Sequence, residues 1–464
     1  FPPDPSRIEQ TIARLQSLAY DSQARFVLTT TPILHLLRPA VQNDPILSRL
    51  TWIATDQIAL GAADTWKEHL PKPDELAYFQ YTSGSTRTPH GVCLTHGNLV
   101  HNSARIGRMF EVSKSDITVN WLPMYHNLGL IGCILQPFFV SVTSYLMSPQ
   151  TFLQNPLIWL QAITHYKATI SGAPNFAFDL CVHRIPPEKR EGLDLSSWEL
   201  AFSGGEPVRP ETLDRFAAAF GPYGFRRKAF YPCYGLAEST LMVTGGKRFS
   251  GPTLYHVEKT ALEKNQVRAA AENASDAVPL IGCGGSLVDH RLVIVDPETQ
   301  TALPEDQVGE IWLQGPSISP GYWNHPEETA ATFQSYLSDG QGPFMRTGDL
   351  GFLHNGECFI TGRLKDLIII HGRNLYPQDI ERTVESSHPA LIPTSSAAFS
   401  IEDGGEEKLV VVQEVNPQAK PDFAQVVAAA RRAVSQAHAV QLYSLVLVEP
   451  ASVPKTVSGK VQRQ

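Results

Sequence analysis

The sequence has little that would tie it to an oxidising compartment or to a nucleic acid. Its six cysteines include no C-x-x-C pair, which argues against a disulfide framework or a zinc site and favours reduced thiols in the cytoplasm. The net charge is −8 and Lys and Arg form no cluster, so nucleic acid is not an expected partner. With 42% hydrophobic and 18% charged residues, the composition is that of an ordinary globular protein.

Asp, Glu, Lys and Arg are all missing from residues 117–166. Within this tract, residues 128–147 form an uncharged run long enough to span a bilayer. Gln136-Pro137 interrupts the run, and several Ser and Thr residues follow. We therefore predict a helix and then a strand, both buried inside a large domain, and no transmembrane segment.

The chain also lacks an initiating Met and a signal peptide, and it stops abruptly at Arg463-Gln464. We interpret both ends as cuts in a longer chain. The 464 residues present are enough for roughly two to four domain-sized units.

Strand, turn and helix patterns alternate through the first half of the chain, which predicts an α/β fold with a parallel sheet covered by helices. Thr95 is a candidate N-cap for a helix over 96–110, and Ser148-Pro149 opens a helix that carries Phe152, Leu157, Leu160 and Ile163 on one side. Short strands are expected at 25–30, 76–79, 117–122, 168–171, 199–202 and 229–231. In such sheets ligands bind beyond the carboxyl ends of the strands, so the turns at 82–91, 203–206 and 234–239 should gather at one edge.

The second half predicts two smaller units. Antiparallel strands are expected near 290–296, 308–314 and 357–361. A compact α+β unit should follow, with strands at 367–371 and 444–448, a hairpin around 403–405, and helices at 378–386 and 423–438. The predicted division is an α/β core at 1–284, a β-rich subdomain of the same large domain at 285–362, a hinge at 363–366 and a small mobile C-terminal domain at 367–464.

Hydroxyl residues are concentrated in the loop that follows the strand at 76–79. Four of them, Thr82, Ser83, Ser85 and Thr86, could donate hydrogen bonds to a polyphosphate together with backbone N–H groups. The loop is not a Walker A motif, because no Gly-Lys-Ser/Thr closes it and His90 stands where a Lys might be expected. A solvated Ser/Thr/Gly linker would have a similar composition.

Five short motifs occur in order at Tyr81–Val92, Tyr234–Glu238, Arg346–Asp349, 362–366 and 454–460. Together they resemble those of the adenylate-forming superfamily. The longer stretches 121–130, 171–176, 362–370 and 371–381 resemble fatty acyl-AMP ligases in particular, over nearly the whole chain. Such enzymes use ATP and Mg²⁺ to activate a fatty acid and pass it to an acyl carrier protein or a carrier domain of a polyketide or peptide synthase. The resemblance implies about 100 further residues, the size of a small domain, ahead of Phe1.

The resemblance also implies roles for particular residues. Lys460 would be the catalytic cation, Glu238 the Mg²⁺ ligand, His126 the gate at the carboxylate end, and Lys365 the hinge. The nucleotide would be held by the loop hydroxyls and by Gly204, Gly205, Glu206, Tyr234, Gly235, Asp349 and Arg363. The sequence departs from the family at Asn127, where Asp is common, and at His90, where Lys is common.

Three features bear on the acyl substrate and its acceptor. The uncharged tract and residues 173–178 could line the binding site of an acyl chain, although ordinary hydrophobic core would have the same composition. No Asp stands where amino-acid-activating domains bind an α-amine, which favours a fatty acid. Residues 245–281 match the place of an insertion that, in fatty acyl-AMP ligases, restrains the C-terminal domain and disfavours coenzyme A. A fatty acyl-CoA synthetase and a degenerate adenylate-binding module are the alternatives.

Overall fold

A computed structural model describes residues 8–81, 90–370, 373–403, 406–455 and 461–463. The fold is α/β, as predicted. The first part of the chain forms a small parallel strand pair and an antiparallel hairpin. Its elements are α1 (Ile8–Ser22), β1 (Phe26–Thr29), α2 (Thr31–Val41), β2 (Thr51–Ala54), β3 (Leu76–Tyr81) and β4 (Gly91–Thr95).

The centre of the large unit is a seven-stranded sheet. Its first six strands along the chain are β5 (Ile117–Asn120), β6 (Thr143–Leu146), β7 (Ile170–Ala173), β8 (Leu200–Ser203), β9 (Phe230–Tyr234) and β10 (Thr244–Gly245). The five strands in the order β9-β8-β7-β5-β6 are parallel, as predicted. The two short strands at one edge, β10 and Gly285–Ser286, are antiparallel and were not predicted.

Helices connect these strands and bury aromatic side chains against the sheet. They are α3 (His96–Met109), a π-helix (Leu128–Leu135) that runs into α4 (Gln136–Val140), α5 (Pro149–Gln154), α6 (Leu157–Tyr166), α7 (Asn175–Arg184) and α8 (Pro210–Phe220). Trp121, Phe152 and Trp159 are buried in one aromatic cluster. Much of the uncharged tract is therefore core.

The helix predicted from Pro149 onward is two helices. Asn155 ends the first and Pro156 begins the second, because a proline ring disfavours helical geometry in the residue before it. The helix predicted after Thr95 is confirmed: Thr95 Oγ1 accepts from the Asn98 amide, and Asn98 Oδ1 accepts from the Thr95 amide.

The β-rich part contains a hairpin within 245–281 and a four-stranded antiparallel sheet of order β14-β15-β16-β17. Its strands are β11 (Leu254–Glu258), β12 (Ala277–Ile281), β13 (Gly285–Ser286, the edge strand of the large sheet), β14 (Arg291–Val295), β15 (Gly309–Gln314), β16 (Met345–His354) and β17 (Glu357–Arg363). Its helices are α9 (Lys259–Leu262) and α10 (Pro326–Phe333). The segment at 245–281 thus contains a folded hairpin and a helical turn.

The C-terminal unit follows a 3₁₀ turn at Leu364–Asp366 and has its own apolar core. It comprises β18 (Ile368–Ile370), β19 (Arg373–Leu375), α11 (Pro377–Ser386), β20 (Leu391–Asp403), β21 (Glu406–Val415), α12 (Phe423–His438) and β22 (Leu442–Val448). The predicted helices and hairpin strands of this unit are present, while the domain boundaries stay predictions. Among the described helices, none combines the length and the apolar character needed to cross a bilayer.

Candidate active site

A cavity of 1580 Å³ lies between the carboxyl edge of the large sheet and the C-terminal unit. Residues that follow β5, β7, β8 and β9 form one side of it, and residues of α11, β20 and the end of the chain form the other. Two of the three predicted turns, 203–206 and 234–239, meet at this cavity. Tyr81, which precedes the third turn, and His90, which lies within it, also line the cavity.

Five predicted site residues lie outside the described part of the chain. They are Thr82, Ser83, Ser85, Thr86 and Lys460. Their predicted roles rest on the sequence alone.

Asp349 anchors a buried hydrogen-bonded cluster at the cavity wall. Its Oδ2 accepts from the Tyr234 hydroxyl at 2.7 Å, and its Oδ1 accepts from Arg363 Nε at 3.0 Å. The register brings Asp349 and Arg363 together, because they are directly paired residues of β16 and β17. Burial and the adjacent Asp349 carboxylate raise the pKa of Tyr234 well above its ordinary value, so the phenol stays protonated as a donor.

A second ionic cluster is centred on Glu310 of β15, the strand that pairs with β16. Glu310, only 1% exposed, accepts from Arg346 Nη2 at 2.7 Å and from the Trp312 indole at 3.0 Å. Its other oxygen accepts from the Gly348 amide. The Arg346–Asp349 motif is therefore part of strand β16, with its turn-like backbone fixed by Glu310.

Glu238 lies in the 3₁₀ turn after β9 and faces the same cavity. Its Oε1 accepts from the Tyr322 hydroxyl at 3.0 Å, and its backbone oxygen accepts from the Ser319 amide. Burial raises the pKa of the Glu238 carboxyl. A partly desolvated carboxylate among hydroxyl and backbone groups suits a hard cation.

The glycines of the predicted nucleotide site are required by close packing. A Cβ on Gly235 would lie 1.8 Å from the Leu241 carbonyl oxygen, and one on Gly204 would lie 2.8 Å from the Cys233 carbonyl oxygen. Gly205 has φ +83°, which side chains disfavour. Beside them, Glu206 Oε1 accepts from the Phe176 amide at 2.7 Å, so this carboxylate caps the start of α7 while lining the cavity.

His126 and Asn127 lie where the chain enters the π-helix. His126 Nδ1 and Asn127 Oδ1 both accept from the Leu128 amide, at 3.2 and 2.9 Å. Both residues line the cavity. An apolar part of the wall adjoins them, formed by Ile106, Phe110, Leu128, Phe202, Leu241 and Met242.

Lys365, the predicted hinge, lies in the 3₁₀ turn between the large unit and β18, at the cavity wall. Burial, and then the neighbouring Arg363, lower the pKa of its ammonium. Near it, Arg463 pairs with Glu381 through two bonds of 2.7 Å and with Asp366 at 3.5 Å. The last described residues are therefore held at the cavity by ion pairs.

The 245–281 hairpin contacts the C-terminal unit, and this contact was not predicted from the sequence. Arg373 donates to both oxygens of Glu263, at 2.7–2.9 Å, and the Asn374 amide donates to the Glu263 backbone. Lys259 donates to Nδ1 of His438, whose Nε2 lies 2.7 Å from Thr383 Oγ1. The partners in the Glu263–Arg373 and Lys259–His438 contacts are over a hundred positions apart, so no local sequence pattern could reveal these contacts. We name the set Lys259, Glu263, Arg373 and His438 the latch.

The latch is expected to weaken on acidification. Burial, and then the charges of Lys259, Arg382 and Arg373, lower the pKa of His438 to about 4 from an ordinary 6.5. A lowered folded-state pKa means that the neutral form stabilises the fold above pH 6.5 and that this stability is lost as pH falls toward 4, by about 1.4 kcal/mol per pH unit. Urea unfolding at pH 7.5 and 5.5 should show this loss in the wild type and a smaller one in His438→Gln. Equal pH dependence of the two proteins would contradict it.

The chain is similar to known protein families and to individual enzymes. The AMP-binding enzyme family matches residues 5–323, and the Disco-interacting protein 2-like AMP domain matches residues 365–464. The chain is 45% identical to the medium-chain-fatty-acid–[acyl-carrier-protein] ligase JamA of Moorena producens, over 100% of this chain and 79% of that protein.

Solved structures with the same fold include two sets of bacterial enzymes. A fatty acyl-adenylate ligase from L. pneumophila, in complex with acyl adenylate and pyrophosphate, is 42% identical with a TM-score of 0.75, covering 97% of this chain and 78% of that one. A structure from a study of fatty acyl-adenylate ligases from E. coli and L. pneumophila is 32% identical with a TM-score of 0.89, covering 100% and 81%.

Proposed function

Because this chain belongs to the AMP-binding enzyme family, we propose that it activates a fatty acid as an acyl-adenylate and passes the acyl group to an acyl carrier protein. In the first step a carboxylate oxygen of the acid attacks the α-phosphorus of ATP, and pyrophosphate leaves. In the second, the carrier's phosphopantetheine thiol attacks the acyl carbonyl, losing its proton, and AMP leaves. JamA is named as a ligase of medium-chain fatty acids and acyl carrier protein, and the L. pneumophila ligase is in complex with acyl adenylate and pyrophosphate.

One observation carries the proposal: the buried Asp349–Tyr234 pair with its Arg363 partner and the Glu238 carboxylate face one cavity that also has an apolar wall. A ribose, a polyphosphate and an acyl chain need these three environments side by side. Each carboxylate oxygen can accept more than one hydrogen bond, so Asp349 can still accept from ribose hydroxyls while held by Tyr234 and Arg363. Arg363 is partly exposed, which leaves its other N–H groups for the ribose or the phosphate.

Mg²⁺ fits the donor set on the phosphate side. Glu238 offers a carboxylate fixed at Oε1 by Tyr322, and Mg²⁺ favours one or two carboxylates together with phosphate oxygens. A bound ion would neutralise charge on the triphosphate. The chain's own contribution is to hold Glu238 at a fixed place and to supply Lys460, the proposed cation beside the reacting carboxylate and α-phosphate.

The acyl chain is proposed to lie along the apolar wall between α3, the π-helix and the turn after β9. Ile106, Leu128 and Met242 belong to this wall, and His126 lies at its polar end. None of the described residues that form this apolar wall is an acid that could pair with an amine, which favours a fatty acid over an amino acid. The alternative in which the chain only binds an adenylate would predict no pyrophosphate release.

The latch is the feature that we connect with the choice of acceptor. Transfer requires the C-terminal unit to move about Lys365 so that the thiol can replace Lys460 at the adenylate. The hairpin at 245–281 holds that unit through the Glu263–Arg373 pair, and its strand β12 lines the cavity itself. A restrained C-terminal unit would favour a docked carrier protein over free coenzyme A.

Breaking the latch tests this connection. Glu263→Gln leaves Arg373 without its buried carboxylate, and we expect the interface to lose about 2 kcal/mol, between the ~0–1 kcal/mol of an exposed ion pair and the ~3–5 kcal/mol of a fully buried one. Acyl-CoA formation, measured by mass spectrometry, should rise at least tenfold over the wild type.

The matched control is Lys167→Gln, which breaks an exposed pair with Asp194 on the large unit. Exposed pairs contribute about 0–1 kcal/mol, so neither stability nor acceptor choice should change. If Glu263→Gln leaves acyl-CoA formation at the level of this control, the latch does not govern the acceptor.

The proposed activity is tested by mixing the protein with ATP, Mg²⁺ and a pool of fatty acids and following pyrophosphate release. Mass spectrometry of the adenylates should identify the acids that are activated. Pyrophosphate release that depends on fatty acid supports the proposal, and its absence with every acid would reduce the chain to an adenylate-binding module.

A further inference from the structure

Outside the proposed nucleotide site, the structure brings together two imidazoles and a carboxylate at the rim of the cavity. The ligand atoms of His90, His325 and Glu328 all lie within 4.8 Å of one another. His325 Nδ1 is 3.7 Å from Glu328 Oε2, and the His90 and His325 rings stack with centroids 4.5 Å apart. From this arrangement we propose a binding site for a divalent transition-metal ion of the Zn²⁺ class.

The main chain fixes the distance between the two halves of this site. His90 immediately precedes β4, and β4 is hydrogen-bonded to residues 321–323: the Trp323 amide donates to the Gly91 oxygen at 2.8 Å and the Cys93 amide to the Gly321 oxygen at 3.0 Å. His325 and Glu328 then come from the start of α10, at a spacing of three that puts them on one helix face. The cluster is therefore built on two joined segments.

A third element orients one imidazole. Asp21 Oδ1, from α1, lies 2.7 Å from His325 Nε2, which makes Nε2 the protonated nitrogen and leaves Nδ1 as the ligand toward Glu328. The other Asp21 oxygen accepts from the Tyr81 hydroxyl, and the Asp21 side chain is 11% exposed. Metal-binding histidines usually have such a carboxylate on their second nitrogen.

The types of ligand atom at the site indicate which class of metal ion it would bind. Two imidazoles and one carboxylate suit Zn²⁺ with an open fourth position, whereas Mg²⁺ prefers oxygen ligands alone. Adjacent ligands of a tetrahedral Zn²⁺ are about 3.3 Å apart, so small side-chain rotations close the present spacing. Two neutral imidazoles with the carboxylates of Glu328 and Asp21 carry a charge of about −2, which a dication offsets.

The site does not depend on the proposed function. It is distinct from the Glu238 carboxylate, whose oxygen partner is Tyr322. The open position would be filled by water at the cavity rim, which His90 and Glu328 both line. The bound ion would tie β4, α1 and α10 together.

Equilibrium dialysis of chelator-treated protein against Zn²⁺ tests the proposal directly. We expect one ion per chain, retained in a large excess of Mg²⁺, and a rise in the thermal midpoint on addition of Zn²⁺. His325→Ala and His90→Ala should each weaken binding at least tenfold, and Asp21→Asn about tenfold as an orienting residue. Co²⁺ in place of Zn²⁺ should give visible bands typical of low coordination number.

The controls separate this site from other ligands of the chain. His35→Ala, at an exposed position of α2, should bind Zn²⁺ like the wild type, and so should Glu238→Gln. If a histidine variant loses its circular dichroism spectrum, Glu328→Gln replaces it as the test. No bound Zn²⁺, equal binding by the cluster variants, or cobalt bands showing cysteine thiolate ligands would each overturn the proposal.

Discussion

Replacement of Asp349 by Ala is expected to lower kcat/KM for adenylate formation by about 10²–10³, or about 3–4 kcal/mol of transition-state stabilisation. Asp349 is 6% exposed and accepts from both Tyr234 and Arg363. Without it, the Tyr234 hydroxyl loses its acceptor in a buried place and Arg363 loses its anchor. The ribose would lose its proposed carboxylate at the same time. Fatty-acid-dependent pyrophosphate release measures the effect.

Two variants show whether this loss is specific. Tyr234→Phe removes one hydrogen bond of the cluster and keeps the carboxylate, so its loss should be about tenfold or less. Asp214→Ala removes an exposed carboxylate that pairs with Arg227 and should have no effect on the rate. An Asp349→Ala protein that is folded by circular dichroism and retains wild-type kcat/KM would refute the assignment.

Glu238→Gln is expected to have the second largest effect, a loss of about 10² in kcat at saturating Mg²⁺. The amide is the same size and still accepts from Tyr322, but it carries no charge for a cation on the triphosphate. The concentration of Mg²⁺ needed for half-maximal rate should also rise. Titration of pyrophosphate release with Mg²⁺ measures both quantities.

Tyr322→Phe and Glu298→Gln are the matched variants for this prediction. The first removes the hydroxyl that fixes Glu238 Oε1 and should raise the Mg²⁺ requirement by less than Glu238→Gln does. The second neutralises an exposed turn carboxylate and should change nothing. A Glu238→Gln enzyme with an unchanged Mg²⁺ dependence would place the ion elsewhere.

Local patterns were enough to predict most elements of the fold. The helix at Phe423–His438 was predicted with its observed ends, and the Asp422 side chain caps it by accepting from the Ala424 amide. The break at Asn155–Pro156 was missed, since the apolar periodicity continues across it. The antiparallel edge strands of the large sheet were missed as well, because two residues are too few to show any alternation.

Part of the site could also be predicted from local sequence patterns. Glu206 and Glu238 could be placed at one edge because both follow strands of a parallel sheet, which gathers its turns there. Asp349 lies within β16 of the antiparallel sheet, and the resemblance of its motif alone pointed to it. The bond from Tyr234 to Asp349 could not be foreseen, since it depends on how β9 packs against β16. The Glu263–Arg373 pair likewise arises only when the 245–281 hairpin meets β19, over a hundred positions further along the chain.

The proposed transfer to a carrier protein is tested most directly by comparing two acceptors of the activated acyl group. The protein is incubated with ATP, Mg²⁺ and the preferred fatty acid, with either a phosphopantetheinylated acyl carrier protein or coenzyme A, and both thioesters are quantified by mass spectrometry. We expect rapid formation of the acyl-carrier-protein thioester. We expect acyl-CoA to form no faster than in a reaction without enzyme. Acyl-CoA formation as fast as transfer to the carrier protein would contradict this expectation.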